Sequence, residues 1–195
     1  MVNETDIDPI ATVFSGGQRY LVGRSSTRST SYFGGPGYDQ VIEGPRYGPR
    51  RIHHLLTLNH GAFGIGALKF GFKTSFYYGI CFEGCELEWE RTHPAAMRIT
   101  KIDPRKSGKE YPYFGYPDVL PYFPLETLHK AEAGTADITD AVYNTGWEVD
   151  PAKVYVVVHS HPDLGIALLD PDSAVDIVFE YETVSGRIRA TNQTD

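Results

Sequence analysis

VYVVVHSHPDLGIALLDPDSAVDIVFEY, residues 154–181, is the stretch that decides the fold. Its first five residues are all β-branched or aromatic, which predicts a strand buried on both faces at the centre of a sheet. The run then breaks at His159-Ser160-His161-Pro162-Asp163 into a polar, turn-prone segment. An apolar patch and Asp170-Pro171-Asp172 follow, and the stretch closes in a second strand. Residues 175–183 and 187–191, joined through Ser185-Gly186, read as a terminal hairpin.

Upstream, residues 11–14 and 19–22 flank Ser15-Gly16-Gly17-Gln18 and predict a short hairpin. Residues 24–50 are rich in Ser, Gly, Tyr and Arg and read as a long surface loop. IHHLLTL, residues 52–58, reads as a strand that sends the adjacent His53 and His54 to opposite faces, as structural residues. Residues 59–69 read as a turn or short helix. SFYYGICF (75–82), ELEWER (86–91) and MRITKI (97–102) predict an antiparallel meander. In its middle strand Leu87 and Trp89 alternate with Glu86, Glu88 and Glu90. YPYFGYPDVLPYFP, residues 111–124, carries six aromatics and four prolines, which predicts an extended segment with its rings laid on the sheet. PLETLHKAEA, residues 124–133, reads as a helix begun by a proline and stopped at Gly134. A second helical turn is expected within 139–147. The whole, residues 1–195, is expected to be a single α+β domain, predominantly antiparallel β-sheet with one or two short helices and long loops.

Composition narrows the function. The net charge is −7 with no basic stripe to neutralise phosphates, so nucleic acid is not an expected partner. No apolar run approaches the ~20 residues of a membrane span, and the first ten residues lack a basic region followed by an apolar core. A cytoplasmic location is therefore expected. The only cysteines, Cys81 and Cys85, read as reduced thiols rather than a disulfide framework. Ser160 lacks a strained glycine elbow, and there is no Walker-type or dinucleotide-type glycine loop.

Two resemblances meet in the central stretch. His159-Ser160-His161-Pro162 with Asp172 gives H-x-H-P and an aspartate eleven residues after the second histidine, which resembles the JAB/MPN (JAMM) metalloprotease motif. That resemblance implies zinc held by His159, His161 and Asp172, with Glu83, Glu86 or Glu88 as the base. Such a site would leave zinc one open position and lower the pKa of its water towards ~7. Asp163-Leu164-Gly165, residues 170–174 and the strand 177–181, together with Gly115-Tyr116-Pro117, are similar to segments of the YwqG-like bacterial proteins. That likeness implies a sheet-rich protein without an established catalytic centre. The histidines also fit as strand-end residues bonded to backbone or to Asp163 and Asp172.

The expected function is non-catalytic: binding of another protein, as an immunity or regulatory factor, without a cofactor. The acidic charge suits a basic partner. Tyr111, Tyr113, Phe114, Tyr116, Tyr122 and Phe123 would supply the anchors, and Glu86, Glu88 and Glu90 the charge. The alternative is a zinc-dependent peptide or isopeptide hydrolase.

Overall fold

The structure is a computed structural model and describes residues 6–43, 52–66, 68–80, 85–104, 119–161, 164 and 175–194. The run Val154–Val158 is β10, and every one of its residues is buried. It pairs antiparallel with β1 (Ala11–Ser15) on one side and β11 (Val175–Glu182) on the other. Beyond β1 lies β2 (Gln18–Arg24), reached through Gly16 and Gly17 at φ 58° and 72°. Two successive positive φ values are the type I′ geometry that a two-residue hairpin needs. Beyond β11 lies β12 (Arg187–Thr194), then β7 (Cys85–His93) and β8 (Ala96–Pro104), each antiparallel to its neighbour. The short β4 (Gln40–Glu43) adds in parallel to β8. On the other flank β2 is followed by β9 (Phe123–Glu132), β3 (Tyr32–Phe33), β5 (His53–Asn59) and β6 (Lys73–Tyr78). The twelve strands so described form one sheet, ordered β4-β8-β7-β12-β11-β10-β1-β2-β9-β3-β5-β6.

This sheet curls into a half-barrel. Period-two alternation sends Ala11, Val13, Val154, Val156, Val158, Ile177, Phe179 and Tyr181 inward to a single core. The two flanks meet across that core. Phe76 of β6 packs edge-on against Phe179 of β11 at 5.2 Å, and Tyr77 against Trp89 of β7 at 6.3 Å. Such ring pairs are worth about 0.5–1.5 kcal/mol beyond the area they bury. The outer face is covered over its centre as well. The single α-helix among the described residues, α1 (Thr135–Ala141), lays Ile138 on Phe14, Tyr155, Val157 and Val178 together with Val142. That cover is why β10 is apolar on both faces. Among the described residues no helix is long and apolar enough to cross a membrane.

The predominantly antiparallel sheet agrees with expectation, but several elements differ from it. The stretch 124–133, read as a helix, lies almost wholly in strand β9 (Phe123–Glu132): Phe123 and Leu125 point inward, Leu128 is exposed, and pairing with β2 and β3 overrides local helix propensity. Gly134, read as a stop, is instead the N-cap of α1, and its N–H donates to Asp137 Oδ2 at 2.7 Å. The stretch read as a surface loop contributes β3 and β4 and buries Asp39. β6 does not join β7 in a meander; it pairs with β5 at the far edge and meets β7 only through the curl.

Gly34 holds the short β3 in place. Its φ is 61°, its N–H donates to Leu55 O at 2.7 Å, and a Cβ there would stand 2.0 Å from Pro121 O. Gly34→Ala therefore combines a left-handed backbone with a clash against main chain. It is expected to cost more than about 2 kcal/mol. The urea midpoint measures this, and a loss below about 0.5 kcal/mol would contradict the close approach of these two segments.

Candidate functional site

Alternation that sends Ala11 and Val13 inward leaves Thr12 and Phe14 on the outer face of β1. On β11 the same alternation turns Asp176 outward, in step with the outward Val178. His159 follows the last residue of β10, its own N–H donating to Ile10 O at 2.9 Å. Its ring thus stands between the two neighbouring strands. Nε2 lies 2.9 Å from Thr12 Oγ1, and Nδ1 lies 3.2 Å from both carboxylate oxygens of Asp176. In the neutral ring Nδ1 donates to Asp176 and Nε2 accepts from Thr12.

This chain lines a cleft where the cover given by α1 ends. The cleft holds about 370 Å³ and is open to solvent. Its size is that of a small-ligand or side-chain pocket. Asp137, Asp140 and Tyr143 form the wall on the α1 side, facing Arg19 from β2 and Gln193 from β12. Among the lining residues are three carboxylates and one guanidinium, so the cleft is net acidic. Tyr143 is 57% exposed. Gln193 is only 5% exposed by contrast; its Nε2 donates to Ala141 O at 2.8 Å, while its Oε1 accepts no hydrogen bond.

Hydroxyl, imidazole and carboxylate stand in the order used for nucleophilic catalysis. Such chemistry also needs donors aimed at a developing oxyanion. β1 is paired on both edges, so its amides are spent in the ladders with β2 and β10, and Thr12 is only 7% exposed. The hydrogen-bond chain fixes the His159 ring between β1 and β11 on one wall of the cleft.

A second depression, lined by Glu88, Lys153, Glu180, Glu182, Arg187 and Arg189, is different in kind. Three carboxylates meet three cations, and Glu180 alone takes Lys153 at 3.0 Å, Arg189 at 2.7 Å and the Tyr155 hydroxyl at 3.2 Å. Burial pushes that hydroxyl up to about 12, so it stays a donor. The charges of the network offset one another, and Arg189 Nε has no hydrogen-bond partner among the described residues.

The described residues include only part of the set expected to act together. Glu86, Glu88 and Glu90 share the outer face of β7, but each has a cation of its own: Lys101 at 2.7 Å, Arg187 at 2.5 Å and Arg98. Phe123 is 3% exposed and stacks on Phe33 at 4.9 Å, so it belongs to the core. Tyr122 is exposed beside Tyr32, whereas Tyr111, Tyr113, Phe114 and Tyr116 lie outside the described residues. His161 approaches Asp8 at 3.4 Å and not the partners of His159. Asp172, Glu83 and Cys81 lie outside the described residues, and Cys85 is a buried thiol. Among the described residues no three His, Cys, Asp or Glu side chains converge as a metal would require. Zinc on His159 would have to displace Thr12 or Asp176 from a ring nitrogen.

Sequence reasoning does not single out Thr12, Asp176, Arg19, Asp137, Asp140, Tyr143 or Gln193. Asp176 carries a usable signal: in VDIVFEY it alternates with the inward Ile177, Phe179 and Tyr181. Thr12 carries none, because only pairing of β1 with β10 brings it to His159. Comparison of the chain with protein-family models, curated proteins and solved structures finds no match.

Proposed function

We propose that the chain is a non-catalytic protein-binding factor whose partner docks on the outer face of the half-barrel, over the cleft beside α1. The observation that carries this reading is the cleft itself: open, net acidic, flanked by the exposed Tyr143, and lined by the Thr12–His159–Asp176 chain. A recess with an aromatic rim is the kind of feature on which interface energy concentrates. The overall charge of −7 favours encounter with a basic partner. The paired glutamates of β7 offer less unbalanced charge than the cleft does.

The test is affinity retention from an extract of the source cell on immobilised wild type, Tyr143→Ala and Tyr122→Ala. Both side chains are exposed, so neither truncation should disturb the fold. One protein retained by wild type and Tyr122→Ala, and at least tenfold less by Tyr143→Ala, is the expected result. Loss in Tyr122→Ala alone would move the docking face to the Pro-rich aromatic segment. Hydrolysis of peptide or isopeptide substrates by the wild type would contradict the non-catalytic reading.

A further inference from the structure

Resting on that reading, we propose that the occupant of the cleft is the guanidinium of an arginine side chain presented by a basic segment of the partner. Four observations meet in this assignment. Asp137, Asp140 and Asp176 place three carboxylates around the recess against the single cation of Arg19. Gln193, buried and lining the same recess, holds an acceptor oxygen that nothing in the structure satisfies. An unpaired buried acceptor is costly, and because this oxygen is closed to solvent a ligand's donor relieves that cost only when the Gln193 side chain turns into the recess. Tyr143 offers an exposed aromatic ring at the rim, on which a planar cation stacks. Finally, the carboxylates come from two different elements, Asp137 and Asp140 from α1 and Asp176 from β11. Acceptors spread around a recess suit the fork of a guanidinium, with its five N–H donors in a plane, better than a point charge. The cleft excludes an anionic occupant on the same grounds, since three carboxylates would repel it.

The experiment is calorimetric titration of the full chain with the peptide acetyl-Gly-Arg-Gly-Arg-Gly-amide. Its control is the peptide with citrulline in place of each arginine, which keeps the shape and removes the charge. The protein variants are Asp137→Asn with Asp140→Asn, and Tyr143→Ala. Asp137→Asn keeps the helix cap, because the amide oxygen still accepts from the Gly134 N–H. Saturable binding of the arginine peptide to the wild type is expected. Its Kd should rise at least tenfold in the double variant, several-fold in Tyr143→Ala, and at least tenfold with the citrulline peptide. Unfolding temperatures of all variants, measured alongside, confirm that the fold is intact. Equal affinity for the two peptides, equal affinity in the double variant, or no saturable binding to the wild type would each overturn the assignment. A natural partner retained equally by wild type and the double variant would overturn the guanidinium occupant while leaving protein binding at this face standing.

Discussion

Asp39→Ala is expected to destabilise the protein by about 3–5 kcal/mol, the cost of leaving a buried charge without its partner. Asp39 stands just before β4 at one end of the sheet, and it bonds both to β7 nearby and to β6 at the other end. Its Oδ1 accepts from Arg91 Nη2 at 3.0 Å, and both side chains are essentially inaccessible. Oδ2 accepts from the N–H of Ser75 at 2.8 Å, and the Asp39 N–H donates to Ser75 Oγ at 3.1 Å. The carbonyl of Asp39 accepts from the Tyr77 hydroxyl at 2.5 Å. Arg91 continues the knot through Nη1 to Thr74 Oγ1 at 2.9 Å, which also meets His60 Nε2 at 2.7 Å. Two strands nine places apart in the sheet, β6 and β7, are therefore tied through one carboxylate. Burial pushes the Asp39 carboxyl up, against the pull of Arg91. With a urea slope of about 2 kcal/mol/M, the midpoint should fall by roughly 1.5–2.5 M. Asp39→Ala with Arg91→Met should lose clearly less than the sum of the single losses, because no unpaired charge remains. A single-variant loss below about 1 kcal/mol would contradict closure of the half-barrel by this knot.

Acidification should destabilise the protein well before its carboxylates titrate. His54 is held neutral inside the fold: Nδ1 donates to Gly34 O at 2.9 Å, and Nε2 accepts from Thr57 Oγ1 at 2.9 Å. Burial lowers its pKa to about 4. His60 is lowered to about 4 by burial and, secondarily, by Arg91. In both cases the unfolded chain, titrating near 6.5, takes up the proton first. Stability is therefore complete above about pH 6.5 and falls as the pH drops towards about 4. For His54 alone the loss is about 2 kcal/mol by about pH 5, with His60 adding a smaller amount. The raised Asp39 works in the opposite direction at the acid end, where the folded state binds its proton more readily. Urea unfolding at pH 7, 6 and 5 measures the slope, and His54→Gln should flatten it. Equal stability at pH 7 and pH 5 would contradict neutral burial of these rings.

The same residues show where a sequence is readable and where it is not. β10 is legible because five consecutive β-branched or aromatic residues have few other uses. The β1–β2 hairpin is legible because Gly16-Gly17 supplies the two positive φ values of its turn. β9 misleads: a proline start, two leucines and a terminal glycine imitate a helix, and only the partner strands β2 and β3 decide otherwise. Asp39 and Arg91 give no local sign of pairing across 52 residues. The cleft is legible only in part. His159 stands out for its chemistry, but its partners Thr12 and Asp176 come from strands set beside it by sheet order. The acidic wall follows from Asp137 and Asp140 lying three apart on α1, a helix that begins only after the one expected has ended.

The most direct test of the account is where a basic ligand lands. Backbone amide chemical shifts of the isotope-labelled protein, followed while the arginine peptide is added, report this residue by residue. The account requires the largest shifts in α1 and at Tyr143, with Thr12, Asp176 and Gln193 across the cleft. Shifts centred on β7 around Glu86, Glu88 and Glu90, or on Tyr122, with the α1 face silent, would contradict it.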